Sequence, residues 1–408
     1  MMSDIAVLNV YLNTSLVGQL TRLPGERISF DFADSYLAQP DRPTLSQSFI
    51  NITGDVMTGG AASQTKAPSF FANLLPEGHL REYLASKAGI KSARDFSLLQ
   101  LLGHDLPGAV ILKPADNIDQ TQNAELSLIE TDKADPGILK FSLAGVQLKF
   151  SALQEAHGGL TIPAHGYEGD WIVKLPSAQF QHVPENEYSM LQLAKAIGID
   201  VPDTQLINIE DITHLPDIAY QQKGKALAVK RFDREAEKRI HVEDFAQVYG
   251  LYPNKKYQKV SCGNMLGKIN VVMGEVQAKE FIKRLIFSVL MGNGDMHLKN
   301  WALIYRDGIH PTLAPAYDYV STQVYLPNET LALSVAGEKN MTKLSRDHFI
   351  RMANKVNFSK ALLIKTLQQT MEATTSQWQA IKQELPMPIA MMNKVDRHIV
   401  TTIKQLMS

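Results

Sequence analysis

The stretch that most constrains the fold runs from residue 285 to residue 305. An apolar segment breaks at Gly292, an Asp, a His, a Lys and an Asn follow within six residues, and a second apolar segment starts at Trp301. Asp295 and Asn300 enclose this polar stretch with four residues between them. A helix before it and a strand after it would fix the loop rigidly. The pattern therefore predicts a loop that positions polar groups between two buried elements.

The spacing D-x-x-x-x-N is that of the catalytic loop in phosphoryl-transfer enzymes. In such a loop the Asp accepts the proton of the attacking hydroxyl, and the Asn oxygen binds Mg²⁺. On this reading Asp295 is a candidate base and Asn300 a candidate metal ligand. The same spacing also occurs in ordinary surface loops, so it needs support from other positions. His297 inside the loop is expected to orient its neighbours rather than to bind a metal.

Two further charged residues stand in apolar surroundings. Asp318 lies in "APAYDYVS", where a buried carboxylate is costly unless it is paired or bound to a metal. It is a candidate for a second Mg²⁺ ligand, or else it caps a turn. Lys174 in "DWIVKLP" needs an anionic partner if it points inward: an ATP phosphate, or a carboxylate from Glu187 or, as second choice, Glu185. The alternative is a lysine at a strand edge that reaches water.

Composition indicates an ordinary globular protein. The 408 residues are 45% hydrophobic and 20% charged with a net charge of −1, so the chain as a whole shows no preference for nucleic acid or bilayers, although residues 223–239 are locally basic. Cys262 is the only cysteine, which excludes an intrachain disulfide and favours a reducing compartment. The N-terminus does not resemble a signal peptide. These features predict a cytoplasmic location.

The order of patterns predicts an α+β protein with two lobes. Residues 1–113 read as a β-rich subdomain with three short strands in residues 4–35. Residues 114–229 read as a small β-rich lobe with one helix, and residues 230–408 as a large helical lobe that ends in three helices. Residues 230–234 are the expected link between these lobes. Ligands often bind in the crevice between two such lobes.

The segment "KFSLAGVQLKF" at 140–150 reads as a strand, a turn and a strand. Its small residues Ser142, Ala144 and Gly145 stand at the bend. Such a bend could place backbone N–H groups over phosphates.

Taken in order, the segments "FSLAGVQLKF", "WIVKLP", "ENEY", "ALAVKRFDR", "EDFAQVYG", "GNGDMHLKNWAL" and "PAYDYVS" resemble the HipA toxin kinases of bacterial type II toxin–antitoxin modules. The segments "FFANLLPEG" and "LLGHDLPGAVIL" extend the resemblance into the N-terminal region. The resemblance implies a serine/threonine protein kinase with a distorted, two-lobed kinase-like fold and an extra N-terminal subdomain. The tripeptide Tyr317-Asp318-Tyr319 takes the place of the D-F-G of eukaryotic kinases, and Gly294-Asp295-Met296-His297 departs from the family's usual loop.

The resemblance also implies roles for individual residues. Asp295 would be the catalytic base, Asn300 and Asp318 would bind Mg²⁺, and Lys174 would contact an ATP phosphate. Ser142 matches the autophosphorylated serine, whose modification ejects the loop over the nucleotide and inactivates the enzyme. The other residues implied to contact the nucleotide are Ala144, Gly145, Gln147, Lys149, Lys230, Phe232, His297 and Lys299.

The implied partners are a HipB-type helix-turn-helix antitoxin, operator DNA through that antitoxin, and a protein substrate, with no membrane. The implied substrate is an aminoacyl-tRNA synthetase, glutamyl-tRNA synthetase first and tryptophanyl-tRNA synthetase as another option. Two alternatives remain open at this stage. One is a catalytically silent kinase-fold co-repressor that works with its antitoxin, and the other is a small-molecule phosphotransferase with a related loop.

Overall fold

The computed structural model describes residues 7–58, 63–64, 66–115, 149–154, 160–162, 169–177, 179–215, 223–235 and 238–407. Four predicted site residues lie outside the described residues, namely Ser142, Ala144, Gly145 and Gln147.

An antiparallel sheet of five strands organises the N-terminal region. Its strands are β1 (Val7–Leu12), β2 (Ser15–Leu23), β3 (Arg27–Phe32), β4 (Ser63–Gln64) and β5 (Val110–Pro114). They lie in the order β4-β3-β2-β1-β5. The three strands predicted within residues 4–35 are confirmed. In β1 the apolar residues Leu8, Val10 and Leu12 alternate with less buried ones, so one face of the strand is buried.

Four helices accompany this sheet: α1 (Asp34–Leu37), α2 (Ser69–Ala72), α3 (Gly78–Lys87) and α4 (Asp95–Leu102). Phe70 and Phe71 of α2 are fully buried, and the ring of Phe71 lies 4.9 Å from that of Phe30 on β3. Pro76 lies between α2 and α3. Helix α4 precedes β5 and packs against it.

The second sheet has six strands: β6 (Lys149–Gln154), β7 (Leu160–Thr161), β8 (Trp171–Lys174), β9 (Thr204–Asn208), β10 (Ile212–Thr213) and β11 (Lys225–Lys230). Their order is β10-β7-β6-β8-β11-β9. Helix α5 (Val183–Ala196) packs against β9 and β11. Phe150, Val173 and Ala228 of this sheet belong to the same buried cluster as Leu8 and Phe71. The N-terminal sheet and the small lobe therefore share one hydrophobic core.

The link between the lobes is a buried ion network. The Arg231 side chain donates to both carboxylate oxygens of Asp233, at 2.9 and 2.8 Å, and to Asp105 at 3.3 Å. Arg234 donates to Asp233 at 2.8 Å and to Asp105 at 3.0 Å. Two arginines of the locally basic stretch are thus paired internally and do not form a basic surface. Asp105 ties the N-terminal region into the same network.

The described residues from 234 to 407 form the large lobe. It contains β12 (Arg234–Glu235), β13 (Lys238–Arg239), β14 (His241–Asp244), α6 (Phe245–Val248), α7 (Cys262–Leu290), β15 (Ala302–Tyr305), β16 (Thr312–Leu313), β17 (Thr330–Val335), β18 (Glu338–Asn340), α8 (Arg346–Lys355), α9 (Lys360–Ile381) and α10 (Ile389–Met407). The three predicted C-terminal helices are confirmed.

Helix α7 lies at the centre of this lobe. Its N-terminus is closed by Ser261, whose Oγ accepts a hydrogen bond from the Asn264 backbone N–H at 3.2 Å. The helix bends at Gly274, where φ is +80°, a value that glycine adopts without steric cost. Beyond the bend, Phe281, Leu285 and neighbouring apolar residues are buried in the large core cluster. Among the described residues no helix is long and apolar enough to cross a membrane.

Candidate active site

The polar loop lies between the end of α7 and the start of β15, as predicted. Helix α7 ends at Leu290 and the chain reverses at Gly292, where φ is +73°. A single 3-10 turn, Leu298–Asn300, leads into β15. The backbone N–H of Phe245 donates to the Trp301 carbonyl at 3.0 Å, which joins the end of the loop to α6. Both ends of the loop are therefore anchored in the core.

Asp295 is held by contacts on three of its groups. Its backbone N–H donates to Asn293 Oδ1 at 3.0 Å, and its carbonyl accepts from Asn300 Nδ2 at 3.0 Å. Its carboxylate oxygen Oδ1 accepts from the Tyr257 hydroxyl at 2.9 Å. Burial raises the pKa of Asp295 above its ordinary value, and the hydrogen bond from Tyr257 opposes that rise.

The glycine before Asp295 lies close to the side chain of Glu329. A side chain at Gly294 would place its Cβ 2.6 Å from the carboxyl group of Glu329. The Gly294 carbonyl accepts from Ala332 N–H at 2.7 Å, and its N–H donates to Thr322 Oγ1 at 2.8 Å. These two backbone hydrogen bonds join the loop to β17 and to Thr322.

Asp318 is joined to the same loop through Asn293. Asn293 is buried, and its Nδ2 donates to the Asp318 carbonyl at 3.3 Å while its Oδ1 accepts from Asp295 N–H. The backbone of Asp318 has φ of +56°, a conformation that few residues other than glycine adopt. Such strain is found where a side chain must be aimed. Sequence reasoning missed Asn293, whose only signal was its position beside Gly292.

Two lysines converge on the Asp318 carboxylate. Lys174 Nζ contacts Asp318 Oδ1 and also Glu187 Oε1. Lys149 Nζ lies 3.3 and 3.2 Å from the two Asp318 oxygens. Burial acts against the ionised form of Asp318, yet Lys149 and Lys174 hold its pKa well below the usual range. Asp318 is therefore an anion in a cationic pocket.

The partner of Lys174 is the one preferred from the sequence. Glu187 contacts Lys174, whereas Glu185 lies beside His182 at 3.5 Å near the start of α5. Burial disfavours the ammonium form, but Asp318 and Glu187 raise the pKa of Lys174 above its ordinary value. Lys174 on β8 thus bridges a carboxylate of α5 and a carboxylate of the large lobe.

A second buried amide holds the Asp318 segment. Asn186 has no exposed surface, and its Nδ2 donates to the Ser321 carbonyl at 3.1 Å while its Oδ1 accepts from Ser321 N–H at 3.0 Å. Helix α5 therefore contacts the loop after Asp318 through Asn186, while Glu187 is linked to Asp318 through Lys174. Sequence reasoning missed Asn186, although a polar residue between two glutamates at a buried helix position was a usable signal.

The remaining predicted nucleotide contacts are dispersed. Lys299 is buried, and its Nζ donates to the Asn73 carbonyl at 2.9 Å and to Asp244 at 2.7 Å. Lys230 is exposed at the end of β11, and the Phe232 ring lies 5.8 Å from that of Tyr317. These contacts turn the Lys299 ammonium toward the N-terminal region and away from the Asp318 cluster.

His297 is buried beside Tyr257, whose hydroxyl contacts Asp295. Its ring meets that of Tyr257 edge-on at 5.0 Å, and its Nδ1 has no hydrogen-bond partner among the described residues. Burial, followed by the charge of Lys256, lowers the pKa of His297 to about 3. The imidazole is therefore neutral at physiological pH, which fits an orienting role better than a proton-carrying one.

The site thus has the side chains of Asp295, Asn300 and Asp318 on two loops that Asn293 joins. Lys149 and Lys174 contact the Asp318 carboxylate. Asn300 donates through its Nδ2 to the Asp295 carbonyl, and its amide also carries an oxygen of the kind that can bind a cation. Within the described part of the chain no three His, Cys, Asp or Glu residues are grouped as a metal site.

Comparison with known proteins shows which family the chain belongs to. The family described as "HipA-like C-terminal domain" matches residues 141–378, and the "HipA N-terminal domain" family matches residues 8–113. The chain is 45% identical over 406 residues to "Putative kinase Y4dM" of Sinorhizobium fredii, with 98% of each chain covered. It is 26% identical over 396 residues to "Serine/threonine-protein kinase toxin HipA" of Shewanella oneidensis, covering 88% of this chain and 86% of that protein.

The fold agrees with these matches. A chain from the Shewanella oneidensis complex of HipA, HipB and operator DNA superimposes with a TM-score of 0.74 at 21% identity, covering 98% of this chain and 96% of the other. The two-lobed kinase-like α+β fold expected from the sequence is therefore confirmed, and the chain belongs to the HipA-like kinase family.

Proposed function

We propose that the chain is an ATP- and Mg²⁺-dependent serine/threonine protein kinase that acts as the toxin of a toxin–antitoxin pair. One observation carries the proposal: the Asp295–Asn300 loop is joined through Asn293 to Asp318, which in turn contacts the Lys174–Glu187 pair. Protein kinases need the lysine–glutamate pair and the metal-binding aspartate in place together. Here the Lys174–Glu187 pair contacts Asp318, the aspartate proposed to bind the metal.

Each group then has a role in phosphoryl transfer. Asp295 would accept the proton of the acceptor hydroxyl, for which its raised pKa makes it a better base than an exposed aspartate. Asn300 and Asp318 would hold Mg²⁺, and Lys174 and Lys149 would receive the phosphates. Bound Mg²⁺ supplies the neutralisation of phosphate charge during transfer. Glu187 keeps Lys174 oriented toward the site.

The phosphates would have to enter a pocket in which Asp318 is already paired with two lysines. The Asp318 side chain is only 20% exposed. A phosphate group can take over Lys149 and Lys174 as their anionic partner, because it presents more charge and more acceptor oxygens than a carboxylate. That exchange would release Asp318 oxygens for the cation.

The same proposal covers regulation and partners. Ser142 is the proposed autophosphorylation site, and its added charge of about −1.5 to −2 would keep its loop from packing beside the nucleotide. The proposed partners are a HipB-type antitoxin and, through it, operator DNA, because the Shewanella oneidensis HipA forms a complex with HipB and its operator DNA. The proposed substrate is an aminoacyl-tRNA synthetase, glutamyl-tRNA synthetase first, so that translation and growth stop.

The test is the intact mass of the antitoxin-free protein before and after incubation with Mg²⁺-ATP. The wild type should gain one phosphate, or carry one already from expression, whereas Asp295→Asn and Ser142→Ala should do neither. An unmodified wild type that neither autophosphorylates nor transfers phosphate to purified glutamyl- or tryptophanyl-tRNA synthetase would refute the kinase proposal for those substrates. Growth arrest on expression of the wild type alone would separate a toxin from a co-repressor.

A panel of amino alcohols and sugars tests the small-molecule alternative. ATP consumption that depends on one of these compounds, with no phosphate on any protein, would favour a small-molecule phosphotransferase. Loss of the same consumption in Asp295→Asn would place that reaction in this site.

A further inference from the structure

The hydroxyl of Tyr257 lies where a substrate hydroxyl would have to be. A general base must be within about 2.6–3.2 Å of the group whose proton it takes. The Tyr257 oxygen meets that condition at 2.9 Å from Asp295 Oδ1. No other side-chain hydroxyl of the described residues donates to this carboxylate.

The protonation state of Tyr257 also matches that of a substrate hydroxyl. Burial, and then the charge of Asp295, raises the pKa of the phenol above its ordinary value of 10.0. The hydroxyl therefore stays protonated at physiological pH and can only donate to the carboxylate. The residue is 43% exposed, so the contact lies at the mouth of the site and not in the core.

The segment that carries Tyr257 is attached to the catalytic loop at one side. It follows a 3-10 turn, Pro253–Lys255, and precedes the N-cap of α7. The Leu298 backbone N–H donates to the Lys256 carbonyl at 3.2 Å, which fixes this segment against the loop. Lys259 has φ of +67°, so the chain turns sharply before it enters α7.

At the other side the segment is tethered to the N-terminal region. Lys256 Nζ lies 2.9 Å from Glu77 Oε2, at the N-cap of α3. Lys256 also lies over the Tyr257 ring, with its Nζ 5.7 Å from the ring centroid. The ring is thus packed between Lys256 and His297. These contacts hold the ring in place without needing the hydroxyl.

We propose that Tyr257 is an acceptor-subsite residue whose hydroxyl stands in for the substrate hydroxyl on Asp295 and must leave Oδ1 before phosphoryl transfer. This inference rests on the proposed kinase function. While the phenol occupies Oδ1, water is kept from the same position, so ATP is protected from hydrolysis in the absence of substrate. A protein substrate that displaces the phenol gains access to the base.

The test compares two proteins. One carries Ser142→Ala alone, which removes the proposed inactivating site, and the other carries Ser142→Ala together with Tyr257→Phe. The readout is phosphate released from Mg²⁺-ATP without any protein substrate. In that reaction the water oxygen bonds to the γ-phosphorus, the bond to ADP breaks, and the water proton passes to Asp295. Phenylalanine keeps the ring contacts, so a matching melting temperature would confirm that folding is intact.

We expect Tyr257→Phe to raise substrate-free hydrolysis about two- to tenfold, the range that corresponds to one ordinary hydrogen bond. Adding Asp295→Asn should abolish the increase, because the vacated base is what activates the water. Glu77→Gln, which loosens the tether, should raise hydrolysis by a smaller factor. An unchanged or reduced rate in Tyr257→Phe would overturn the inference and assign Tyr257 to orienting the base.

The outcome is separable from that of the proposed function. Kinase activity is judged independently from phosphate transfer to Ser142 in protein that retains this serine. If that transfer occurs and Tyr257→Phe does not raise hydrolysis, the kinase proposal stands and the role of Tyr257 falls. If phosphate appears on Tyr257 itself during the incubation, the hydroxyl is an acceptor and not a stand-in, which also overturns the inference.

Discussion

Single residues in this site act through their neighbours. Asp318 is charged in a buried pocket because Lys149 and Lys174 surround it, and its strained backbone is held by the Asn293 amide. Removing a charged partner from such a cluster leaves the others buried without compensation, which is costly. Substitutions that keep the shape of a side chain therefore report on function more cleanly than truncations.

Asp318→Asn keeps the shape and removes the charge. We expect it to weaken Mg²⁺-ATP binding strongly and to leave binding of ATP without Mg²⁺ much less affected, because the carboxylate is the proposed cation ligand. Calorimetric titration with Mg²⁺-ATP, and again with ATP and a chelator, measures both. Asp307→Asn, an exposed aspartate of the same lobe, is the matched control. Equal Mg²⁺-ATP affinity in Asp318→Asn and the wild type would remove Asp318 from the metal site.

Lys299→Met separates two roles for a lysine inside the catalytic loop. The structure joins its Nζ to Asn73 and Asp244, so we expect a fall in kcat with little change in the KM for ATP. The resemblance instead implied a nucleotide contact, which would raise the KM for ATP. Steady-state kinetics over a range of ATP concentrations distinguishes the two, and a raised KM with unchanged kcat would favour the nucleotide contact.

Among the secondary-structure elements, α5 and the loop after Asp318 behave as one unit. Glu187 reaches Lys174 and Asn186 pairs with both backbone groups of Ser321, so a single turn of α5 touches both halves of the site. The helix periodicity of the sequence predicts α5 itself. It does not predict that a buried amide on that helix would complete the hydrogen bonds of a loop more than a hundred residues away.

Asn186→Ala should remove the hydrogen bonds that join α5 to the loop after Asp318. It leaves a buried N–H and carbonyl of Ser321 without their partner, at a cost of about 1–3 kcal/mol for each group that stays unsatisfied. We expect a lower melting temperature and a lower kcat together, measured by thermal unfolding and by initial rates. Asn354→Ala, on an exposed position of α8, is the control that should change neither. Normal stability with normal kcat in Asn186→Ala would show that the loop is held elsewhere.

Across the whole molecule, the N-terminal region is fixed to the large lobe by buried polar contacts. Glu243 on β14 accepts from Ser46 Oγ at 2.5 Å, from Gln47 N–H at 2.9 Å and from the Tyr305 hydroxyl at 2.5 Å. His241 Nε2 lies 2.8 Å from the Leu45 carbonyl. Burial raises the pKa of Glu243 to about 7, although the three donors oppose that rise.

This carboxyl group should make stability depend on pH. The folded state keeps its proton up to about pH 7, while the unfolded chain loses it near 4.5, so Glu243 contributes stability that is lost as pH rises through this window. The shift corresponds to roughly 3 kcal/mol. Glu243→Gln should remove that decline, as measured by urea unfolding at about pH 4.5 and about pH 7.5.

The neighbouring His241 acts in the opposite direction. Burial lowers its pKa to about 4, so its contribution to stability grows as pH rises from there to about 6.5. Comparing the wild type with Glu243→Gln at each pH cancels this shared term. A difference between the two proteins that does not change with pH would show that Glu243 titrates normally.

Local sequence patterns predict several of the elements that the structure contains, and they single out the candidate residues of the polar loop. Strand alternation predicts β1 to β3, helix periodicity and prolines predict the C-terminal helices, and the break at Gly292 predicts a fixed polar loop between helix and strand. These signals are local, since they depend on side-chain direction and chain geometry over a few residues. The order of the motifs added the family, and with it the two-lobed fold.

Which groups meet was settled by the packing of the whole chain. Asn293 and Asn186 tie together segments that are far apart in sequence, Lys299 turns to the N-terminal region, and Tyr257 reaches Asp295 across 38 residues of sequence. The physical reason is that a polar side chain can satisfy its hydrogen bonds with many partners, and burial selects one of them only when the whole chain is packed. Composition and periodicity therefore do not predict which partner each buried polar side chain takes.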